Sequence, residues 1–423
     1  MTQDDLAQMS REELIELVLA QFGQITKLQA DFEALKMKLE KGKKPPTNSS
    51  NSSQPPSRDQ KSNLPEKRTK QRHGPPVGHA KHERKFVAKP NHIVEVKPQV
   101  CEDCQTDLRE TSGLLAGVNQ ITELPEAKAE VIEVRQYEVK CPCCGKKQTA
   151  EPPSGLEMER TFGARLEATV VYYRQEQHMS YVRTKSAFRD LHGVEISEGG
   201  IDQAMQRGGK SAVEQVGPIQ AEIQESSVVH SDETGCRMDG QNWWEWVFCS
   251  ATAVLHVIRS NRSADVIKDV MADHIAEVWV CDCYSAQMKA PSKEHQLCLA
   301  HQLRNLQAVI DRYPASFWAI AMQAMFRSAI HSYNQRDHLS PPKFQAQIHR
   351  IERICDWLLK RKLEQPEAKR LLKRYLKYRD CLFVFLHRTD VCPTNNVSER
   401  NLRPSVVHRK VMGCFRSGWG ARA

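Results

Sequence analysis

Apolar side chains at Leu14, Val18, Ile25, Leu28, Phe32, Leu35 and Leu39 recur at alternating three- and four-residue spacings over residues 10–40, with Gln21 the one polar member of the seam. The spacing predicts one helix, started by a Ser10/Glu13 capping box, and its a/d form predicts a short coiled coil whose simplest use is homodimerisation. A helix packed on its own domain would show the same stripe. The pattern stops at "KKPPTNSSNSSQPPSRDQKSN" (43–63), which has too few apolar residues to fold and reads as a linker, with a basic continuation to about Lys89. At 129–140, "AEVIEVRQYEVK" alternates with the period of a strand.

Residues 155–226 carry a helical pattern. Within it, about 181–192 forms a helix, Gly193 a turn, and Ser197 the N-cap of a second helix with Ile201 and Met205 on its apolar side. The outline fits a helix-turn-helix, although many helix pairs that never touch DNA share it. "VVHSDETGCRM" then reads as a strand ending on its acidic cluster. Two strand-like runs, "WWEWVFCS" and "AVLHVI", follow an Asp239-Gly240 turn, and a helix capped near Ser263 comes next. A fourth strand, Glu277 to Cys281, ends on Asp282, and a short fifth strand and a helix follow. This succession matches a ribonuclease H-like α/β domain in which the first and fourth strands are neighbours. The stretch from about 302 to 390 is helical in pattern and rich in Lys and Arg, and reads as an α-helical insertion. The expected organisation is multidomain: coiled coil (1–42), basic Pro/Ser-rich linker (43–92), zinc ribbon (93–152), helical DNA-binding domain (153–226) and α/β catalytic domain (227–423).

The formal charge of +9 is uneven. Thirteen Lys/Arg against Asp59, Glu66 and Glu83 between Lys41 and Lys89 leave the remainder close to neutral. Such a block suits a polyanion, usually nucleic acid, or is a solvated tail. No apolar run is long enough to span a membrane, and the polar N-terminus is unlike a secretory signal. Fourteen cysteines in that setting point to a reducing cytoplasm and favour metal ligation over disulfides. Two Cys-x-x-Cys knuckles, Cys101/Cys104 and Cys141/Cys144, can offer four thiolates to one structural Zn²⁺, with Cys143 an alternative to Cys144. Unrelated buried cysteines are the competing reading. Asp232 and Asp282, at adjacent strand ends, would bridge two Mg²⁺ or Mn²⁺ ions, with Glu399 of a later helix as third carboxylate. Glu233 points to the other face of its strand and is not expected to be a ligand.

"HSDETG", "VCDCYSAQ", "QLCLAHQLRNL" and "TNNVSERNLRP…RKVMGCFRSGWGA", together with the zipper, linker and ribbon ahead of them, resemble the hallmark segments of the insertion sequence 66 family of bacterial transposases. The resemblance implies a DDE-type enzyme with Asp232, Asp282 and Glu399 as its triad. Such an enzyme cuts DNA at terminal inverted repeats and transfers the strand to target DNA, with a nucleoid-associated cytoplasmic location and accessory proteins of the element as further partners. It also implies a Cys-x-x-His after the second Asp, here Cys298 and His301, whose plain reading is a packed strand end and helix start; a second zinc site with Cys281 and Cys283 is the alternative. Arg400, Arg403, Arg409 and Lys410 surround Glu399 and are expected to position phosphates, while Arg403 could instead orient Glu399 across one turn. Thr394 departs from the Asp usual in the family, and the chain ends at Ala423, sooner than similar proteins. The short end suggests, as rival, a non-catalytic DNA-binding relic or regulator. A ribonuclease H-like nuclease unrelated to transposition would not need the N-terminal DNA-binding array.

Overall fold

The computed structural model describes residues 47–52, 85–125, 127–413, 415 and 418–422. The expected zipper helix lies outside them, as does most of the basic linker. The chain divides into two compact units, one of Met1–Pro65, Ala150–Thr184 and Ser197–Ala423, the other of Glu66–Thr149 and Lys185–Ile196.

In the second unit, strands β1 (Glu138–Lys140) and β2 (Lys147–Thr149) pair antiparallel around the Cys141–Cys144 turn. Of the alternating run 129–140 only this end forms a strand. Val131 and Ile132 remain 95% and 64% exposed, so alternation alone, without a partner strand to cover the apolar side, did not make a sheet.

The first unit is a mixed α/β structure built on a five-stranded sheet. Helix α1 (Ala164–Gln175), the start of α2 (Tyr181–His192) and the long α3 (Glu198–Gln224) lead into it. Ser197 caps α3 as expected, its Oγ accepting from the Gly200 N–H at 3.0 Å. Strands β3 (Val228–Met238), β4 (Gln241–Cys249) and β5 (Val254–Arg259) form a meander. After α4 (Ala264–Met271), β6 (Ala276–Cys281) and β7 (Ser292–Leu297) follow, and the order across the sheet is β5-β4-β3-β6-β7. The first and fourth strands are thus parallel neighbours. The β3–β4 turn has positive φ at both Asp239 (49°) and Gly240 (73°), the geometry of a type I′ hairpin that Asp-Gly favours.

Strand β3 does not stop at its acidic cluster. It runs on to Met238 against β4, while its pairing with β6 ends at His230–Val280. Asp232 therefore sits mid-strand, two residues beyond the point where β6 falls away.

Alternation directs the two sheet faces. Val229, Trp246, Phe248 and Trp279 pack with α4 and Ile223 of α3. The rings of Trp246 and Phe248 stack at 6.4 Å, and truncating any one of these aromatics should cost about 3–5 kcal/mol. On the opposite face, Val278, Val280 and Leu297 join a core built by α5 (Leu299–Arg312), α6 (Phe317–Asn334), α7 (Pro341–Leu359), α8 (Pro366–Lys377) and α9 (Val384–His387). Helix α10 (Asn396–Met412) covers Val247 and Cys249 on that same face through Leu402. No helix among the described residues is long and apolar enough to cross a membrane.

Candidate active site

Asp232 points from β3 toward the α10 side of the sheet, and Glu233 toward the α4 side. Asp282 lies one residue past β6, its Oδ1 accepting from the Tyr284 N–H at 2.8 Å. Glu399 sits in the first turn of α10, the positive end of the helix dipole. Burial, the neighbouring Glu233, and the charges of Asp282 and Glu399 raise the Asp232 carboxyl well above the ordinary carboxylate range. All three acids of the expected triad therefore share one electrostatic neighbourhood. Their oxygens do not all come within 4.8 Å of one another, and Arg304 stands beside Glu399, but Asp232 and Asp282 offer the oxygen ligands that a hard divalent cation takes.

A buried polar junction brings the elements together. The Cys298 N–H donates to the Cys281 carbonyl at 2.8 Å, and the Leu299 N–H to the Pro393 carbonyl at 2.9 Å. These bonds join the end of β6, the start of α5 and the approach to α10. Asn395 is the centre of the junction and fully buried. Its Nδ2 donates to the Ser231 carbonyl at 2.8 Å, its Oδ1 accepts from Ser398 Oγ at 3.0 Å, and His230 Nδ1 lies 3.2 Å from that same oxygen. Its backbone N–H donates to Cys298 Sγ at 3.1 Å. The segment carrying Glu399 is thereby tied to the backbone just before Asp232. Sequence reasoning singled out Thr394 in this triplet and passed over Asn395.

Cys298 and His301 join Glu399, and the three offer ligand atoms within 4.8 Å of one another, the one such set among the described residues. Burial pushes the Cys298 thiol up to about 11, so at neutral pH it is a protonated acceptor for Asn395 rather than a thiolate. Cys281 and Cys283 do not belong to the set, and burial raises both their thiols. Burial and the Arg304 charge push the His301 imidazole below its ordinary range. Its buried Nδ1 has no hydrogen-bond partner and stands 3.8 Å from Glu399 Oε1, a gap that a cation or a water would bridge. The cation beside Glu399 is Arg304 of α5, at 3.2 Å, and not Arg403.

Glu233 is engaged elsewhere. Arg262 Nε donates to its Oε1 at 2.9 Å and Gln287 Nε2 to its Oε2 at 2.6 Å. The Arg262 guanidinium lies over the rings of Tyr284 (3.8 Å) and Trp244 (4.6 Å). Gln287 also accepts from Trp279 Nε1 at 3.0 Å. This network braces β3 from behind. Its only trace in the sequence is the Gln that closely follows "VCDCYSA" and an Arg in the β5–α4 loop.

Arg400, Arg403 and Lys410 are exposed on α10. Arg409 departs from the phosphate role expected of it. Its side chain, 11% exposed, turns onto the sheet, with Nη1 donating to the Gly235 carbonyl at 2.6 Å and Nε lying 3.5 Å from Glu245 Oε2. Ser405 Oγ donates to the same Glu245 oxygen at 2.6 Å, so Glu245 of β4 clamps α10 along its length.

The cysteine knuckles share one local construction. The Cys101 N–H donates to the Thr106 carbonyl and the Gln105 N–H to the Cys101 carbonyl; the Cys141 N–H donates to the Lys146 carbonyl and the Gly145 N–H to the Cys141 carbonyl. Gln105 and Gly145 both take positive φ, 58° and 68°. In this repeat Cys104 corresponds to Cys144, with Cys143 one residue out of step. Hydrogen bonds from Thr106 and Cys101 lower the Cys104 thiol to about 7, and bonds to Cys144 and Cys143 lower Cys141. Thiols eased toward thiolate in this way suit a metal.

A family model described as Transposase IS66 family matches residues 159–423, well over half of the chain. No curated protein matches it.

Proposed function

The chain belongs to the IS66 family of transposases, and from that premise we propose that it is a DDE-type DNA transposase with a ribonuclease H-like catalytic domain. Membership implies DNA as partner and a divalent metal as cofactor. The reaction assigned is hydrolysis of a phosphodiester at the element's terminal inverted repeats to free a 3′-OH. In-line attack of that hydroxyl on target DNA follows, with no covalent protein intermediate. The observation that carries the proposal is the junction in which Asn395 ties the first turn of α10, with Glu399, to the β3 backbone beside Asp232, with Asp282 at the end of the parallel neighbour β6.

Asp232 and Asp282 would hold two Mg²⁺ or Mn²⁺ ions, with Glu399 completing one shell. When bound, such ions make an attacking hydroxyl more acidic and offset charge building on the phosphate. The protein's own part is positional. Asn395 holds the first turn of α10 against β3, Arg304 and His301 flank Glu399, and Glu233 with Arg262 and Gln287 stiffens β3. Arg400, Arg403 and Lys410 are assigned to backbone phosphates, which fix register without reading sequence. One structural Zn²⁺ is assigned to Cys101, Cys104, Cys141 and Cys144 on the repeat of the two knuckles, whose thiols do not lie within 4.8 Å of one another as a set. The helix pair ending in α3 is read as a DNA-binding helix-turn-helix, and the zipper as the source of a homodimer or higher oligomer.

The test is nicking of terminal-repeat DNA with and without Mg²⁺, wild type against Asp232→Asn. The expected outcome is Mg²⁺-dependent nicking in the wild type alone; equal activity in both proteins would overturn the triad.

A further inference from the structure

Helix α8 carries five cations, Lys369, Arg370, Lys373, Arg374 and Lys377, and a single carboxylate, Glu367. The cations fall at four-residue steps and gather on one side of the helix, while Ala368, Leu371 and Tyr375 are buried on the other. A solvated helix face usually mixes charge signs. Here the one acid lies 2.8 Å from Arg312 of α5 and 3.8 Å from Arg370, and it accepts from Tyr313 Oη at 2.8 Å. The carboxylates of neighbouring α7 are engaged elsewhere, Asp356 with Arg379 and Glu352 with His387. Lys369, Lys373 and Lys377 are exposed.

One end of this face leads toward the acid cluster. At that end Arg370, Arg374 and Arg312 line a cavity of about 400 Å³ whose far wall is Thr47, Asn51 and Ser52. That wall contacts α5 through Asn51, whose Nδ2 donates to Asp311 Oδ2 at 2.7 Å. Helix α5 connects that cavity to the acids, since Arg304 meets Glu399 and the next residue, Asn305, lines the cavity.

We propose that the basic face of α8, with the cavity at its edge, holds the backbone phosphates of a DNA strand that runs to the acid cluster. The identity of the polyanion as DNA rests on the transposase reading; the position and charge of the surface do not. Contacts of this kind are sequence-independent and reveal themselves through salt, because each phosphate neutralised releases counterions.

The experiment uses the full chain in EDTA, so that no step at the acid cluster enters. Fluorescence anisotropy reports binding to a short duplex of unrelated sequence across a salt series. The variant Lys369→Ala/Lys373→Ala/Lys377→Ala is compared with wild type and with Lys343→Ala/Arg350→Ala/Arg353→Ala, which removes equal charge from exposed positions of α7. The α8 variant should bind about tenfold more weakly, with its log–log salt slope shallower by roughly 0.9 for each phosphate no longer neutralised. The α7 variant should stay near wild type. Unchanged affinity and slope in the α8 variant would overturn the proposal, and so would an equal loss in the α7 variant, which would reduce the effect to net charge. A loss confined to single-stranded RNA of the same length would assign the face to RNA and overturn it too. Absence of Mg²⁺-dependent nicking in the wild type would sink the transposase reading and leave this binding result standing.

Discussion

Asn395→Ala removes the side chain that ties α10 to β3. Three interactions go with it: the bond to the Ser231 carbonyl, the bond from Ser398 and the approach of His230. Losing one hydrogen bond costs about 1 kcal/mol net, and up to about 3 kcal/mol where a buried partner is orphaned. The Ser231 carbonyl lies in a fully buried residue, whereas the Ser398 hydroxyl can rotate to another acceptor. A total of about 3 kcal/mol follows, equivalent to a Tm lowered by roughly 4–5 °C for a unit of this size at about 2.1 cal/mol/K per residue. Asn395 precedes Glu399 by one helical turn, so nicking should fall at least tenfold even below the new melting point. Circular dichroism melts and a nicking assay on the same preparation read both quantities. Asn396→Ala, at the exposed next position, is the control and should stay within about 0.5 kcal/mol. A Tm within about 2 °C of wild type, worked through the same scale, together with normal nicking would refute the claim that this junction positions Glu399.

Asp232 has its carboxyl raised, so its contribution to stability is fully present below the unfolded value of about 3.9 and is lost as pH rises through the raised folded value. Metal-free Asp232→Asn should therefore melt higher than wild type at neutral pH, and millimolar Mg²⁺ should raise the wild-type Tm while leaving the variant unmoved. Glu245 behaves in the opposite sense. Burial pushes it up, but bonds from His256 and Ser405 and the Arg409 charge outweigh that and hold it below its usual range. Its contribution is present above the unfolded value of about 4.3 and is lost as pH falls through the lower folded one. The stability gap between wild type and Glu245→Gln should accordingly close on acidification in denaturant titrations. Metal analysis should give about one Zn²⁺ per chain, lost in Cys144→Ser and retained in Cys143→Ser; retention by both would break the knuckle repeat.

Local chemistry was the legible part of this chain. The helix 181–192, the cap at Ser197 and the Asp239-Gly240 hairpin lie where turn and capping residues put them, because those preferences act over a few positions. The adjacency of β3 and β6 followed from element order. What escaped were polar interactions made across long stretches of chain. Asn395 meets Ser231, and Glu233 meets Gln287, only once the sheet exists; nothing at either position alone distinguishes a buried partner from a solvated one. Arg409 departs from expectation for the same reason, since its carboxylate, Glu245, lies on a strand far earlier in the chain. Residues 47–52 have a composition too polar to predict order. Asn48 and Asn51 are nevertheless 3% and 8% exposed, because that segment docks by hydrogen bonding rather than by apolar burial.

Helix α3 joins two parts of the first unit. Near its N-terminal half it lies against α1 so tightly that a Cβ at Gly208 would sit 2.7 Å from Val171. Ile223, near its last turn, is locked into the core behind β3. At 1.5 Å per residue its 27 residues reach at most about 40 Å, little more than one turn of B-form duplex. If α3 has the DNA-binding role proposed for it, a duplex gripped at its first turns would meet the acids at a preset spacing, and the helix would serve as a molecular ruler for how far inside the recognised end a cut falls.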